Sequence, residues 1–448
     1  MKKPEIPPRF EDLIGALKDQ TKLMQIVGLR QMQPTLEHYL HWDQLRRHPP
    51  PDGLTSEEWW LGVKMQRIGA SRPLQLADSN KKPFTFCVPD LVIEKLHDID
   101  CGSGSAVNIP SPITNPQTRD QYLIRSLMEE AITSSQLEGA ATTREVAKEM
   151  IRTGRPPKDN DEQMICNNFA TMQRILELKK YPLSAEMIFE IHRLVTDKTL
   201  KSHDGAGRFR SAEEPITVEG PDGEVFHFPP PASELPERLK LMCDFANKAS
   251  PDYFIHPVTR AIILHFWLAY DHPFVDGNGR TARALFYWAM LREEYWVFEF
   301  ISISTILRKA PIKYGRSFLY TETDGNDLTY FIVAQAKVVA AAIQMLHEYI
   351  DEKTSELREL ESHLRALNLF NHRQVDLLRH ALKHPYEQYT IESHRASHGT
   401  SYETARTDLL DLSERGILKL MKRGKQMIFV SPKGLEKKIR KFGQIAET

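Results

Sequence analysis

The chain has 448 residues, with 59 Lys/Arg against 60 Asp/Glu and a formal net charge of −1. That length exceeds one compact core and suits roughly two to four domains. A composition of 41% hydrophobic and 27% charged residues excludes global disorder, and the near-zero charge gives the whole molecule no pull toward nucleic acid or membrane. Charge is nonetheless uneven: residues 372–441 hold 15 Lys/Arg and 8 Asp/Glu, a surplus of seven.

The first residues, MKKPEIPPRFEDLIGALK, lack the apolar stretch of a signal peptide. No run of about 18 apolar residues is evident, so no membrane span is expected. Cys87, Cys101, Cys166 and Cys243 are scattered without a CxxC pair, which fits reduced thiols and a cytoplasmic protein. Residues 1–110 read as a mainly helical extension, interrupted by the proline turn RRHPPPDG and by ADSNKKPFTFCVPDL, where a short strand fits. The extension is expected to pack on the core or to build a homodimer. CGSGSAVNIPSPITNPQTRDQ, Cys101 to Gln121, is the clearest linker.

Helical periodicity then predicts helices over 121–139 and 143–153, the second opened by a Thr142-x-x-Glu145 capping box. Further helices are expected at 161–180 and 184–197. Residues 215–229 break the pattern: ITV and EVFHF flank EGPDG, the composition of a β-hairpin. Helices resume at 235–248, 257–271, 281–292 and 327–350, and residues 346–370 read as a charged connecting helix. Over 371–448 the order helix, helix, Gly399 turn, helix, strand, turn, strand suggests a winged helix-turn-helix.

The chemistry concentrates in DHPFVDGNGRTAR, Asp271 to Arg283. Pro273 ends the preceding helix and holds His272 extended. A second helix starts near Arg280 or Thr281, so the segment is a loop feeding a helix N-terminus. Gly277 and Gly279 allow positive φ and expose backbone amides, and the helix dipole adds positive potential. Arg280 and Arg283, three residues apart, share a helical face and suit a diphosphate or triphosphate. Asp276 would be repelled by bare phosphate but is suited to Mg²⁺. His272 can take a proton from an attacking hydroxyl. Neither a P-loop nor an EF-hand pattern fits.

HPFVDGNGRTAR resembles the Fic-family signature HxFx(D/E)GNGRxxR at every defined position. The resemblance covers roughly residues 111–345 and implies an all-α fold: a Fic helical core with a β-hairpin flap, ahead of the winged helix. It implies transfer of AMP from ATP and Mg²⁺ to a Ser, Thr or Tyr hydroxyl of a target protein or of the chain itself. His272 would be the catalytic base, Phe274 the loop's buried anchor and Asp276 the metal ligand. Gly277, Asn278, Gly279, Arg280, Thr281, Ala282 and Arg283 would bind ATP, and Tyr314 would line the nucleobase pocket. Ile216, Thr217 and Val218 would be the flap edge that registers the target by strand addition.

SSQLEGA resembles the family's inhibitory motif [S/T]xxxE[G/N]. By that resemblance Ser134 and Glu138, one helical turn apart, form a brake, with Glu138 pairing Arg283 at the γ-phosphate position. Three other functions stay open: a transcription regulator whose core only senses a nucleotide, transfer of a different phosphate-containing group, and removal of AMP. The winged helix leaves DNA binding open. Its predicted recognition helix carries Glu403, Asp408, Asp411 and Glu414 beside Arg406 and Arg415, which favours a protein partner.

Overall fold

The computed structural model describes residues 2–17, 19–28, 38–103, 116–201, 203–220, 223–366, 369–384, 386–423, 426–432 and 434–439. Most of the linker, residues 104–115, lies outside these, as do residues 424–425 of the last turn. The described chain is mostly helical and divides into two units. One holds Met1–Ser103 and Arg125–Ile343, the other Gly104–Ile124 and Gln344–Thr448.

In the first unit, α1 (Phe10–Ala16), α2 (Gln20–Gly28), α3 (Trp42–Leu45) and α4 (Ser56–Ala70) surround a small core with Trp42, Trp59 and Trp60. Thr55 caps α4 through a capping box with Glu58. A hairpin follows, β1 (Arg72–Ala77) antiparallel to β2 (Pro83–Phe86), then α5 (Asp90–Gly102). These residues are not a free extension. Thr85 exchanges backbone bonds with Asn326 and Leu328, Tyr39 donates to Asp327 at 2.7 Å, and Arg238 donates to the Ala77 carbonyl at 2.7 Å.

Next come α6 (Pro116–Leu137), α7 (Arg144–Thr153), α8 (Asn160–Leu178) and α9 (Ala185–Thr196). The α7 cap is Thr143, whose hydroxyl accepts from the Val146 amide, one residue beyond the expected Thr142. The Thr142 carbonyl is instead held in the preceding turn by Gln136 Nε2 at 2.9 Å. After α9 come β3 (Val218–Glu219), antiparallel to β4 (Val225–His227), and α10 (Leu235–Ala246). The flap is shorter than its sequence pattern, since Ile216 and Thr217 precede the strand.

The centre of the unit is α11 (Pro257–Asp271) and α12 (Asn278–Arg292). Of their 15 residues each, 13 and 12 are buried. Nearly the whole circumference is enclosed, so these are central helices. Then follow α13 (Ile303–Lys309), α14 (Pro311–Thr323) and α15 (Thr329–Ala366). The connecting helix expected from 346 is the continuation of α15. Within it the stretch Thr329–Ser355 contains an 18-residue window of mean hydropathy 1.5, long and apolar enough to cross a membrane by length and composition, contrary to expectation. Over half of that window, 56%, is buried inside the protein, as in a core helix.

The second unit continues with α16 (His372–Lys383), β5 (Gln388–Thr390), α17 (Ile391–His398), α18 (Tyr402–Glu414), β6 (Lys419–Arg423) and β7 (Gln426–Val430). β7 is the middle strand, antiparallel to β5 and β6. β5 was not foreseen. Ala405, Leu409, Leu412, Ile417 and Phe429 form its core.

Candidate active site

The loop between α11 and α12 is a set of backbone corners locked by side chains. His272 adopts the left-handed conformation, φ 46° and ψ 55°, and its amide donates to the Leu268 carbonyl. The extended geometry expected before Pro273 is therefore not used. A left-handed C-cap also escapes the right-handed clash ahead of proline, and it terminates the helix. Phe274 is fully buried, its ring stacked on His192 at 3.7 Å and 9°. The Asn278 side chain brackets it, accepting from the Phe274 amide at 3.0 Å and donating to its carbonyl at 2.8 Å. Gly277, at φ 79°, turns the chain where a Cβ would lie 2.7 Å from Thr196 Cγ2. With those constraints α12 begins at Asn278, two residues ahead of Arg280.

The amides of the first turn, at Asn278 and Gly279, have no acceptor within the helix and form the anion-attracting end. Thr281 and Ala282 do not present side chains there. Thr281 directs both its amide and its hydroxyl to the Gly277 carbonyl, each at 2.9 Å, and Ala282 is buried in the core.

His272 donates Nδ1–H to the Ala269 carbonyl at 3.1 Å. A carbonyl only accepts, so the ring proton of the neutral form sits on Nδ1 and Nε2 carries a lone pair. Burial lowers the imidazole to about 4, so the ring is neutral at physiological pH. Arg210 clamps the same corner: Nε donates to the His272 carbonyl at 2.9 Å, another guanidinium nitrogen donates to the Pro230 carbonyl, and its amide donates to the Pro273 carbonyl. His192 holds the far side of the loop. Its Nδ1 accepts from the Gly207 amide at 2.9 Å and its Nε2–H reaches the Asp276 carbonyl at 2.8 Å. Burial lowers His192 to about 4 as well. Neither Arg210 nor His192 was singled out from sequence. A polar residue on the apolar face Met187, Ile188, Ile191, Val195 was the available signal for His192.

The two arginines do not form one clamp. Arg280 donates to the Val195 carbonyl at 2.9 Å and lies 3.7 Å from Asp276. Arg283 donates from Nε to Ser134 Oγ at 2.9 Å, and from one terminal nitrogen to the Ser134 carbonyl at 3.0 Å and Glu138 Oε1 at 2.8 Å. Glu138 follows the last residue of α6, and Gly139 turns the chain away at φ 98°. Its carboxylate rests against the start of α12: a Cβ on Gly279 would overlap Oε1. Burial pushes this carboxyl up, but the charge and hydrogen bond of Arg283 outweigh it, so Glu138 is lowered and ionised. An internal carboxylate thus pairs with Arg283 against the helix start. α6 is pinned there by buried Glu130, which accepts from Tyr287 and Ser302 hydroxyls, each at 2.8 Å.

Asp276 is 59% exposed, with Oδ1 accepting from the Gly277 amide at 2.6 Å. An exposed carboxylate beside the helix start fits a hydrated divalent cation that also binds phosphate oxygens. Tyr314 is hydrogen-bonded to His265 Nε2 at 2.8 Å, packs edge-on against Phe318, and is pushed up to about 12 by burial. In the flap, Val218 pairs with His227. His227 donates Nε2–H to the Tyr270 carbonyl and meets Glu322 through Nδ1, both at 2.7 Å, which fastens β4 two residues ahead of His272.

Residues 182–290 match the model of the Fic/DOC family. A protein adenylyltransferase Fic of Nematostella vectensis is 34% identical over 107 residues, 24% of this chain and 22% of that protein. Protein adenylyltransferase fic-1 of Caenorhabditis elegans is 36% identical over 114 residues, 25% of this chain and 20% of that protein. The match thus spans about a fifth of each curated relative. A solved Fic family protein from Desulfovibrio desulfuricans G20 has the same fold, with a TM-score of 0.52 over 77% of this chain and 97% of that one at 18% identity. Loop, flanking helices and comparisons agree that this chain carries a domain of the Fic/DOC family.

Proposed function

We propose that the chain is an autoinhibited protein adenylyltransferase, moving AMP from Mg-ATP to a Ser, Thr or Tyr hydroxyl of a target protein or of itself. The observation that carries it is His272: neutral, its proton held on Nδ1, its Nε2 lone pair free beside an anion-attracting helix start. The hydroxyl proton passes to Nε2, the oxygen bonds to the α-phosphorus, and pyrophosphate leaves. First-turn amides of α12 stabilise charge on the phosphate oxygens. Asp276 would hold Mg²⁺, which supplies charge neutralisation. Arg283 would bind the γ-phosphate once Glu138 has left it. The names of the curated relatives support an adenylyl transfer, and their match is confined to this domain. We place the reaction in the cytoplasm.

Intact mass spectrometry with Mg-ATP and a lysate tests this. Glu138→Gly is expected to raise AMP labelling at least about tenfold, the scale of losing one buried ion pair. Adding His272→Ala is expected to abolish it. If Glu138→Gly leaves labelling at the wild-type level, the brake is wrong. If neither form ever gains the mass of AMP, the transfer itself is wrong.

We also assign the second unit to target selection. Asp408 is taken up by Asn371, Arg373 and His394, and Arg415 pairs with Asp411. α18 itself has Arg406 as its one basic residue, 3.8 Å from Glu403, and so offers little positive charge to DNA.

A further inference from the structure

The start of α11 is the opposite end of the helix that ends at His272, and it opens on a cavity of about 570 Å³. That size falls in the range of small-molecule sites. At about 1.5 Å per residue, the 15 residues of α11 put it roughly 22 Å from the loop, so it is not the nucleotide site.

Its walls differ in kind. Val88, Ile93, Leu96 and Phe254 make one side apolar, and Phe254, at 77% exposure, is left without cover. The other side is the helix N-terminus. Pro257 has no amide proton, and His256, the N-cap residue, makes no side-chain cap. The amides of Val258 and Thr259 therefore lack intrahelical acceptors at a buried helix end. Thr259 is fully buried, lines the cavity and leaves its hydroxyl without a partner, and His256 Nδ1 is likewise unpartnered. Arg72 lines the same cavity.

These groups sort by sign. Two amides, the Thr259 hydroxyl, the helix dipole and Arg72 call for a carboxylate. Beside them stands Asp100, whose Oδ2 takes the Nε2–H of His256 at 3.0 Å and whose Oδ1 takes the Tyr295 hydroxyl at 2.7 Å. With the Nε2 proton given to Asp100, the tautomer of His256 that makes this bond carries a lone pair at Nδ1. Asp100 and Nδ1 are acceptors for a cationic donor and disfavour a simple fatty or aromatic acid. A carboxylate and an ammonium on one carbon, with an apolar side chain, satisfy all three walls. We infer that this cavity binds a free apolar α-amino acid, its carboxylate at the start of α11, its ammonium at Asp100 and its side chain against Phe254.

Calorimetric titration of the full chain with L-phenylalanine and L-leucine tests it without nucleotide, so the outcome is independent of adenylyl transfer. Both are expected to bind. Phenylacetate and phenethylamine, each lacking one charge, are expected to bind at least about tenfold more weakly. Thr259→Val and Asp100→Asn should each weaken phenylalanine by a similar factor while the circular dichroism melt stays cooperative. If buried Thr259→Val fails to fold, Asp100→Asn, at an exposed position, decides between the outcomes. Absence of heat from both amino acids, equal binding of phenylacetate, or unchanged affinity in Asp100→Asn overturns the proposal.

Discussion

Arg283 has more acceptors around it than an open phosphate site allows. Ser134 supplies two of them and Glu138 the third, and the guanidinium is 2% exposed. The brake we propose would therefore be shared between a carboxylate and a hydroxyl. Ser134→Ala removes one hydrogen bond to a charged group, worth about 1.5 kcal/mol, and should raise AMP labelling severalfold, less than Glu138→Gly. Equal labelling of Ser134→Ala and wild type would assign the brake to Glu138 alone. His272, Asp276 and Arg283 were visible in sequence because their chemistry is written in thirteen consecutive residues. Ser134 and Glu138 were visible only through a motif, since 145 residues separate Glu138 from its arginine.

The α11–loop–α12 element shows how a short loop holds a strained corner. A left-handed histidine costs on the order of 1 kcal/mol and persists only where its surroundings enforce it. Arg210, Asn278 and the stacked pair Phe274–His192 do so here. His192→Ala would strand the Gly207 amide and the Asp276 carbonyl and open a void beneath Phe274. We expect a loss of about 3 kcal/mol in stability, and AMP labelling by Glu138→Gly to fall on the order of 100-fold as the loop shifts. Labelling of Glu138→Gly/His192→Ala at the level of Glu138→Gly, in a folded protein, would remove His192 from the loop's support. Periodicity located α11 and α12 well. It missed β5 and the true start of α6, because three-residue strands and helix ends depend on partners elsewhere in the chain.

Across the whole molecule, acid should be the weak side. Burial holds His41 and His265 near 3 and His192 and His272 near 4, while an unfolded chain protonates them near 6.5. Between about 6.5 and 4 the unfolded state therefore binds more protons, so the stability these neutral rings give above 6.5 is lost as pH falls. At pH 5 the loss is about 2 kcal/mol per ring. His227 has the opposite sign: burial lowers it, but Glu322 prevails and raises it, so its contribution fades as pH rises. The melting temperature is expected to drop on the order of 10 °C from pH 7.5 to pH 5. A melt unchanged over that range would mean these rings are not buried neutral.

The sequence by itself determined which residues make up the loop, the helical class and the inhibitory candidate, because local order and residue type suffice to specify a turn, a helix period and a motif. The tertiary structure decided the rest. It sent Arg280 to the Val195 carbonyl and Arg283 to α6, turned Thr281 and Ala282 inward, joined residues 1–103 to the core, and left the start of α11 uncapped over a cavity. Each depends on which distant groups satisfy buried donors and acceptors, and long-range pairing is what residue spacing along a chain does not encode.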